Sequence, residues 1–173
     1  MTLAERVFNM HYQGNLKRAI VAAILLGVGL AGLVDTIIFH QILQWHHMVS
    51  NRISPSSLES IQINVLWDGL FLAFALIVTI LGISLLWNAS SLNKKDRGLL
   101  SRQMFIGLVI FTFGLFNLVE GIINHHILGL HHVKDGPSSL LFDISFLILG
   151  GLLLIVIGWI LIRKSKYVIQ KEA

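Results

Sequence analysis

Cysteine is absent from the 173-residue chain. That removes disulfides, thiolate metal sites, cysteine nucleophiles and cysteine-ligated iron–sulfur clusters. Charge is scarce as well. Asp, Glu, Lys and Arg make up 13% of the residues, where a soluble domain carries about 25%. With 55% hydrophobic residues and a mean hydropathy of +0.78, the composition excludes disorder, a nucleic-acid-binding arm and an ordinary soluble enzyme. The length allows one domain. Against this background eight histidines stand out.

Four apolar stretches run from about Ala19 to Trp45, Ile61 to Trp87, Met104 to Leu130 and Leu140 to Ile162. Each exceeds the roughly 20 residues that a helix needs to cross a hydrocarbon core. None alternates as a barrel strand does, and a helix satisfies its own backbone in lipid. The expectation is an all-α integral membrane protein, a bundle of four transmembrane helices. Residues 1–18 form a polar N-terminal segment, 19–162 the membrane domain and 163–173 a basic tail. The first stretch is too long for a signal peptide.

Cations sort by side. Arg6, Lys17 and Arg18 precede the first span; Lys94, Lys95, Arg97 and Arg102 lie between the second and third; Arg163, Lys164, Lys166 and Lys171 follow the fourth. Only Arg52 and Lys134 fall on the other side. The positive-inside rule makes both termini cytoplasmic. The pI of about 9.7 then reflects topology rather than nucleic-acid binding. The expected environment is the lipid bilayer of a plasma membrane, with homo-oligomerisation open.

An internal repeat carries the unusual residues. Residues 29–48 read GLAGLVDTIIFHQILQWHHM, and residues 114–133, offset by 85, read GLFNLVEGIINHHILGLHHV. Every histidine except His11 lies in these windows, and Asp35 is matched by Glu120. Pro-Ser-Ser-Leu recurs at 55–58 and 137–140, and Asp68 and Asp143 open spans two and four. The expected architecture is two tandem hairpins, repeat one at 19–87 and repeat two at 103–162, as parallel repeats about a pseudo-two-fold along the membrane normal.

Counted at 1.5 Å per residue from the cytoplasmic ends, Asp35, Glu120, Asp68 and Asp143 lie about 25 to 30 Å up. His40 and His125 stand roughly 7 Å further out. His46, His47, His131 and His132 fall higher again, at the outer helix ends. One carboxylate near the hydrocarbon centre costs about 2.5–3.5 kcal/mol, so four at one level need histidine, water or a cation as partners. On an α-helix Asp35 and His40 lie about 140° apart, so a metal site must be assembled across helices. Candidate ligands are Asp35, His40, Asp68, Glu120, His125 and Asp143, with His46, His47, His131 and His132 as an outer site or entry path. Imidazole with carboxylate and no thiolate suits Zn, Fe, Mn or Cu.

Other roles compete. Asp143 can serve as a helix N-cap or a dipole partner. Asp35 and Glu120 can pair with protonated histidines, and the paired histidines can be interfacial. Trp45, Trp67 and Trp87 suit an interface belt. His126 and Gln41 read as a hydrogen-bonding position.

The motifs Leu-Val-Asp-x4-His-Gln-Ile-Leu-Gln-Trp-His-His-Met (33–48) and Asn-Leu-Val-Glu-Gly-x3-His-His-x4-His-His (117–132) resemble a family of small bacterial membrane proteins of unknown function. The resemblance spans all four helices and the two opening aspartates. It implies a bacterial inner-membrane protein and supplies no activity. Thr36, where glycine is the more usual residue, is a departure.

Function then divides three ways. One reading is a transition-metal site near the extracytoplasmic face, for metal handling or for redox or hydrolytic chemistry. A second is a b-type haem protein with His40 and His125 as axial ligands. A third is a non-catalytic membrane assembly factor.

Overall fold

The computed structural model describes residues 3–91 and 100–171, with side chains over 13–89 and 100–165. Lys94, Lys95 and Arg97 of the expected cytoplasmic loop lie outside the described residues. The described residues are helical or looped, without strands. Helix α1 covers Leu3–Asp35, α2 Leu58–Ser91, α3 Arg102–Glu120, α4 Ser139–Ser145 and α5 Leu153–Lys171. Three seven-residue stretches of wider coil, Thr36–Ile42, Gly121–Ile127 and Phe146–Leu152, extend α1, extend α3 and join α4 to α5. In such π-helical coil each N–H reaches back five residues rather than four. The Leu43 N–H bonds the Ile38 carbonyl at 2.8 Å, and the Leu128 N–H bonds that of Ile123 at 2.7 Å.

Four continuous rods are long and apolar enough to cross a membrane: Gln13–Ile42, Leu58–Ala89, Arg102–Ile127 and Ser139–Ser165. Helix α1 packs on α2 and α3, and α3 packs on α5 and the wide coil before it. The outer helices leave large apolar side chains uncovered, among them Leu66, Leu70, Phe74 and Ile77 of α2. Such a face suits lipid, which needs no hydrogen bonds from it.

Small residues set the helix contacts, as they do where lipid removes the usual hydrophobic drive. A β-carbon on Gly29 would stand 2.8 Å from the Thr79 nitrogen, and one on Gly114 would stand 2.8 Å from that of Ile155. These contacts are the same in both halves. They also expose a one-residue shift. Asp68 and Asp143 are 75 residues apart, whereas Thr79 and Ile155 are 76 apart. The added residue falls in the wide coil Phe146–Leu152, the place where a π turn absorbs an insertion without breaking a helix. Asn117 donates to the Gly150 carbonyl there at 3.0 Å.

The first and third rods end at Ile42 and Ile127, three residues short of the expected Trp45 and Leu130. Each end is closed by a long reach-back, Trp45 N–H to the Phe39 carbonyl at 2.9 Å and Leu130 N–H to that of Asn124 at 2.8 Å. The reversal needs a left-handed residue. Gly129 supplies it at φ 56°, and Gln44 adopts it at φ 49° despite its β-carbon. The loops that follow clasp each other: Asn51 N–H bonds the Leu130 carbonyl at 2.9 Å, and Asp135 N–H bonds that of Trp45 at 3.1 Å. Arg52 also donates to the Leu128 carbonyl.

Candidate metal centre

Because the chain turns back after Ile42 and Ile127, the histidines that follow drop into the bundle instead of climbing beyond it. His46 and His131 are buried, and their rings stack in parallel with centroids 4.5 Å apart. Each is held from the opposite half. His46 Nδ1 donates to the Val133 carbonyl at 2.8 Å, and His131 Nδ1 donates to the Met48 carbonyl at 2.9 Å. A carbonyl only accepts, so both rings carry hydrogen on Nδ1 and turn Nε2 inward. Burial, then the nearby His131 and His40 rings, pushes the His46 pKa well below the ordinary imidazole range.

The wide coil also changes the helix geometry expected from sequence. The five-residue step from Asp35 to His40 matches one turn of π-helical bonding, which brings both side chains to one face. His40 Nε2 lies 3.4 Å from Asp35 Oδ2. In the second half His125 Nε2 lies 3.9 Å from Glu120 Oε2, and His131 Nε2 lies 3.5 Å from Glu120 Oε1. The expectation that Asp35 and His40 diverge on their helix rested on an α-helical period that the chain abandons here.

Asp68 and Asp143 are completely buried and act as anchors behind the imidazoles. Asp68 accepts from His40 Nδ1, His47 Nδ1 and the Met48 N–H, each at 2.7 Å. Asp143 accepts from His132 Nδ1 at 2.7 Å and the Val133 N–H at 2.8 Å, with His125 Nδ1 at 3.4 Å. Asp143 therefore spends its oxygens across the loop and not on the N-terminus of α4, where Ser138 precedes the first turn. His47 and His132 are partly exposed and touch the cluster through these aspartates alone among the contacts described.

All ten sequence candidates thus occupy one end of the bundle, in two layers. Asp35, His40, His46, Glu120, His125 and His131 face the interior. Asp68, Asp143, His47 and His132 stand behind them. Two groups have ligand atoms mutually within 4.8 Å: His40, His46 and His131; and Glu120, His125 and His131. Buried and without a hydrogen-bond partner are Nε2 of His40, His46 and His131, and Nδ1 of His125. Buried polar atoms are nearly always paired, so several orphaned nitrogens at one place demand a partner.

Two contributors were not foreseen. The carbonyls of Met48 and Val133 carry no side-chain signature. Asn124 donates to Glu120 Oε1 at 2.9 Å, and its signal is a polar residue facing Phe39 in the repeat. His126 is exposed and outside the cluster, as is Gln41. Trp45 packs its ring 5.3 Å from that of Phe142.

The chain belongs to a family described as "Predicted membrane protein (DUF2243)", which matches residues 22–165 and so takes in all four spans but for the start of the first. No curated protein and no solved structure matches it. The fold and cluster define a four-span membrane protein with histidine and carboxylate groups able to hold a metal ion.

Proposed function

We propose that the protein binds a pair of first-row transition ions, one held by Asp35, His40 and His46 and the other by Glu120, His125 and His131. Each set offers two imidazoles and one carboxylate and leaves coordination positions open, the arrangement that Fe, Zn or Mn uses when it does chemistry rather than brace a fold. The role is metal handling or metal-dependent redox or hydrolytic chemistry at a membrane. By the cation distribution the centre lies near the extracytoplasmic face of a bacterial plasma membrane, with both termini inside.

One observation carries the reading. His40, His46 and His131 have Nδ1 tied to an acceptor behind the ring and a buried, unpartnered Nε2 in front. Metal-binding histidines are oriented in this way, with the acceptor fixing the tautomer and raising the basicity of the ligand nitrogen. The spacing agrees. Ligands about 2.0–2.2 Å from one tetrahedral ion sit about 3.4 Å from each other. His40 Nε2 to Asp35 at 3.4 Å and His131 Nε2 to Glu120 at 3.5 Å match that edge and are long for charge-assisted hydrogen bonds.

Ring packing favours an ion over haem. Each ring of the stacked His46–His131 pair contacts both His40 and His125, with centroid separations from 4.3 to 6.5 Å. Two imidazoles therefore fill the slot where a macrocycle would lie between His40 and His125.

Metal analysis of protein produced without a histidine tag tests the proposal. The expected content approaches two ions per chain. His131→Ala removes a ligand of the second ion and the neighbour whose ligand atom lies within 4.8 Å of those of His40 and His46 at the first, and lowers it most; Glu120→Ala and His40→Ala each lower it substantially while the protein still inserts. Wild-type protein that never carries metal above trace would reduce the cluster to a structural network and leave the assembly-factor reading.

A further inference from the structure

Beside Glu120 the bundle has a cavity of about 500 Å³. Trp67, Leu70 and Phe71 of α2 form one wall and Leu130 another, with Met48 and Asn124 completing the inner side. No charged side chain lines it. The size and the apolar lining with a single amide fit a small organic ligand.

The corresponding place in the other half is solid. The repeat sets Phe39 against Asn124, Trp45 against Leu130, Phe142 against Trp67 and Phe146 against Phe71. Those four aromatic rings pack on one another, Phe39 on Trp45 at 5.6 Å, Phe39 on Phe146 at 6.1 Å and Trp45 on Phe142 at 5.3 Å. Where the cavity has Val49, this plug has Lys134, whose ammonium lies 5.1 Å from the Trp45 ring and 4.9 Å from that of Phe142. Two large-to-small differences, Phe39 to Asn124 and Trp45 to Leu130, account for the open space on one side.

Asn124 links the cavity to the cluster. Its nitrogen donates to the Glu120 carboxylate at 2.9 Å, which fixes the amide orientation. The amide then has its carbonyl oxygen left as an acceptor toward a ligand. We infer that this cavity binds an uncharged molecule with an apolar body and a hydroxyl end, a lipophilic phenol or alcohol, and presents that hydroxyl beside Glu120. This deepens the metal-centre reading and rests on it for the ligand's role as substrate. The occupancy of the cavity rests on the cavity itself.

Equilibrium dialysis of purified protein in detergent against radiolabelled 4-butylphenol tests it, with metal content measured on the same samples. Wild type is expected to bind one equivalent saturably. Asn124→Phe combined with Leu130→Trp copies the sealed half and should weaken binding at least about tenfold, and Leu130→Trp alone, which leaves the Asn124–Glu120 bond in place, should weaken it while metal content stays unchanged. Leu70→Trp, placed on the exposed side of α2, should block the same space and give the same loss if the double variant fails to fold. Non-saturable uptake, or equal binding in wild type and the filled variants, would mean that the cavity takes acyl chains like any lipid-facing groove and would overturn the inference. Saturable binding in protein that never holds metal would keep the cavity and remove the metal reading. Metal without saturable binding would do the reverse.

Discussion

The half of the bundle that carries Asp35 and the half that carries Glu120 share a framework and differ in what it surrounds. In both, a wide coil leads into a left-handed reversal, a buried histidine reaches the carbonyl of the other half, and a buried aspartate holds the following histidine and a backbone N–H. The differences lie around that framework. Asp68 grips His40 at 2.7 Å, while Asp143 stands 3.4 Å from His125. Aspartate in one half becomes the longer glutamate in the other, and an aromatic plug becomes a cavity. The bonds that cross between halves tie His46 to the Val133 carbonyl and His131 to the Met48 carbonyl, so each half positions a buried histidine of the other. What is free to vary is access and ligand reach. In the proposed centre the Asp35 half is the enclosed, firmly held side, and the Glu120 half is the side that exchanges.

Removing each anchoring aspartate should break the comparison most visibly. Asp68→Ala strands His40 Nδ1, His47 and the Met48 N–H in a buried place. The expected cost is about 3–5 kcal/mol, the range for removing one partner of a buried polar network. Asp143→Ala frees the Val133 N–H and His132, the latter already partly open to solvent, and should cost about 1–2 kcal/mol less. Thermal unfolding of the two variants in one detergent reads the difference. Equal losses would mean that the short His40–Asp68 contact contributes nothing that the looser pair lacks.

Exchanging the carboxylates tests ligand reach rather than stability. Glu120→Asp retracts the carboxylate from His131 and from Asn124, and Asp35→Glu pushes one toward His40. Each should weaken binding of one ion of the pair by about 10- to 100-fold, as a displaced ligand or ligand partner does in other metal sites, and leave the second bound. Competition with a chelator, followed by metal counting, should then show two classes of ion in each variant. Loss of both ions together would mean one shared site rather than two.

Much of this was readable from residues alone. The four spans follow from length and apolarity, and all ten polar candidates do gather at one end. Their order within the cluster was not readable. A helix that continues at 1.5 Å per residue puts His46 and His131 outermost, yet the chain reverses at Gln44 and Gly129 and drops them inward. Gly129 was the available signal, since glycine past a helix end marks a left-handed cap. The π-helical coil that brings Asp35 to His40 has no marker in either window, because an i to i+5 bond is chosen by packing and not by side-chain type. The open cavity was legible in principle. It is written in Asn124 and Leu130 standing where the first copy has Phe39 and Trp45.

The smallest expected effect concerns that reversal. Gly129 and Gln44 occupy the same left-handed backbone, at φ 56° and 49°, but only glycine does so without a clash between its β-carbon and the carbonyl. Gly129→Ala should cost about 1 kcal/mol. The nearest group to an added β-carbon is the Arg52 guanidinium at 3.9 Å, so the penalty comes from the backbone and not from crowding. Gln44→Gly should gain nearly the same strain energy and lose about 0.5–1 kcal/mol of it to the greater freedom of the unfolded chain, leaving a net change close to zero. Paired melting curves of the two variants check this. A Gly129→Ala protein as stable as wild type would show that the reversal tolerates a side chain in both halves. Glycine at 129 would then be one more difference between the two halves without a structural reason.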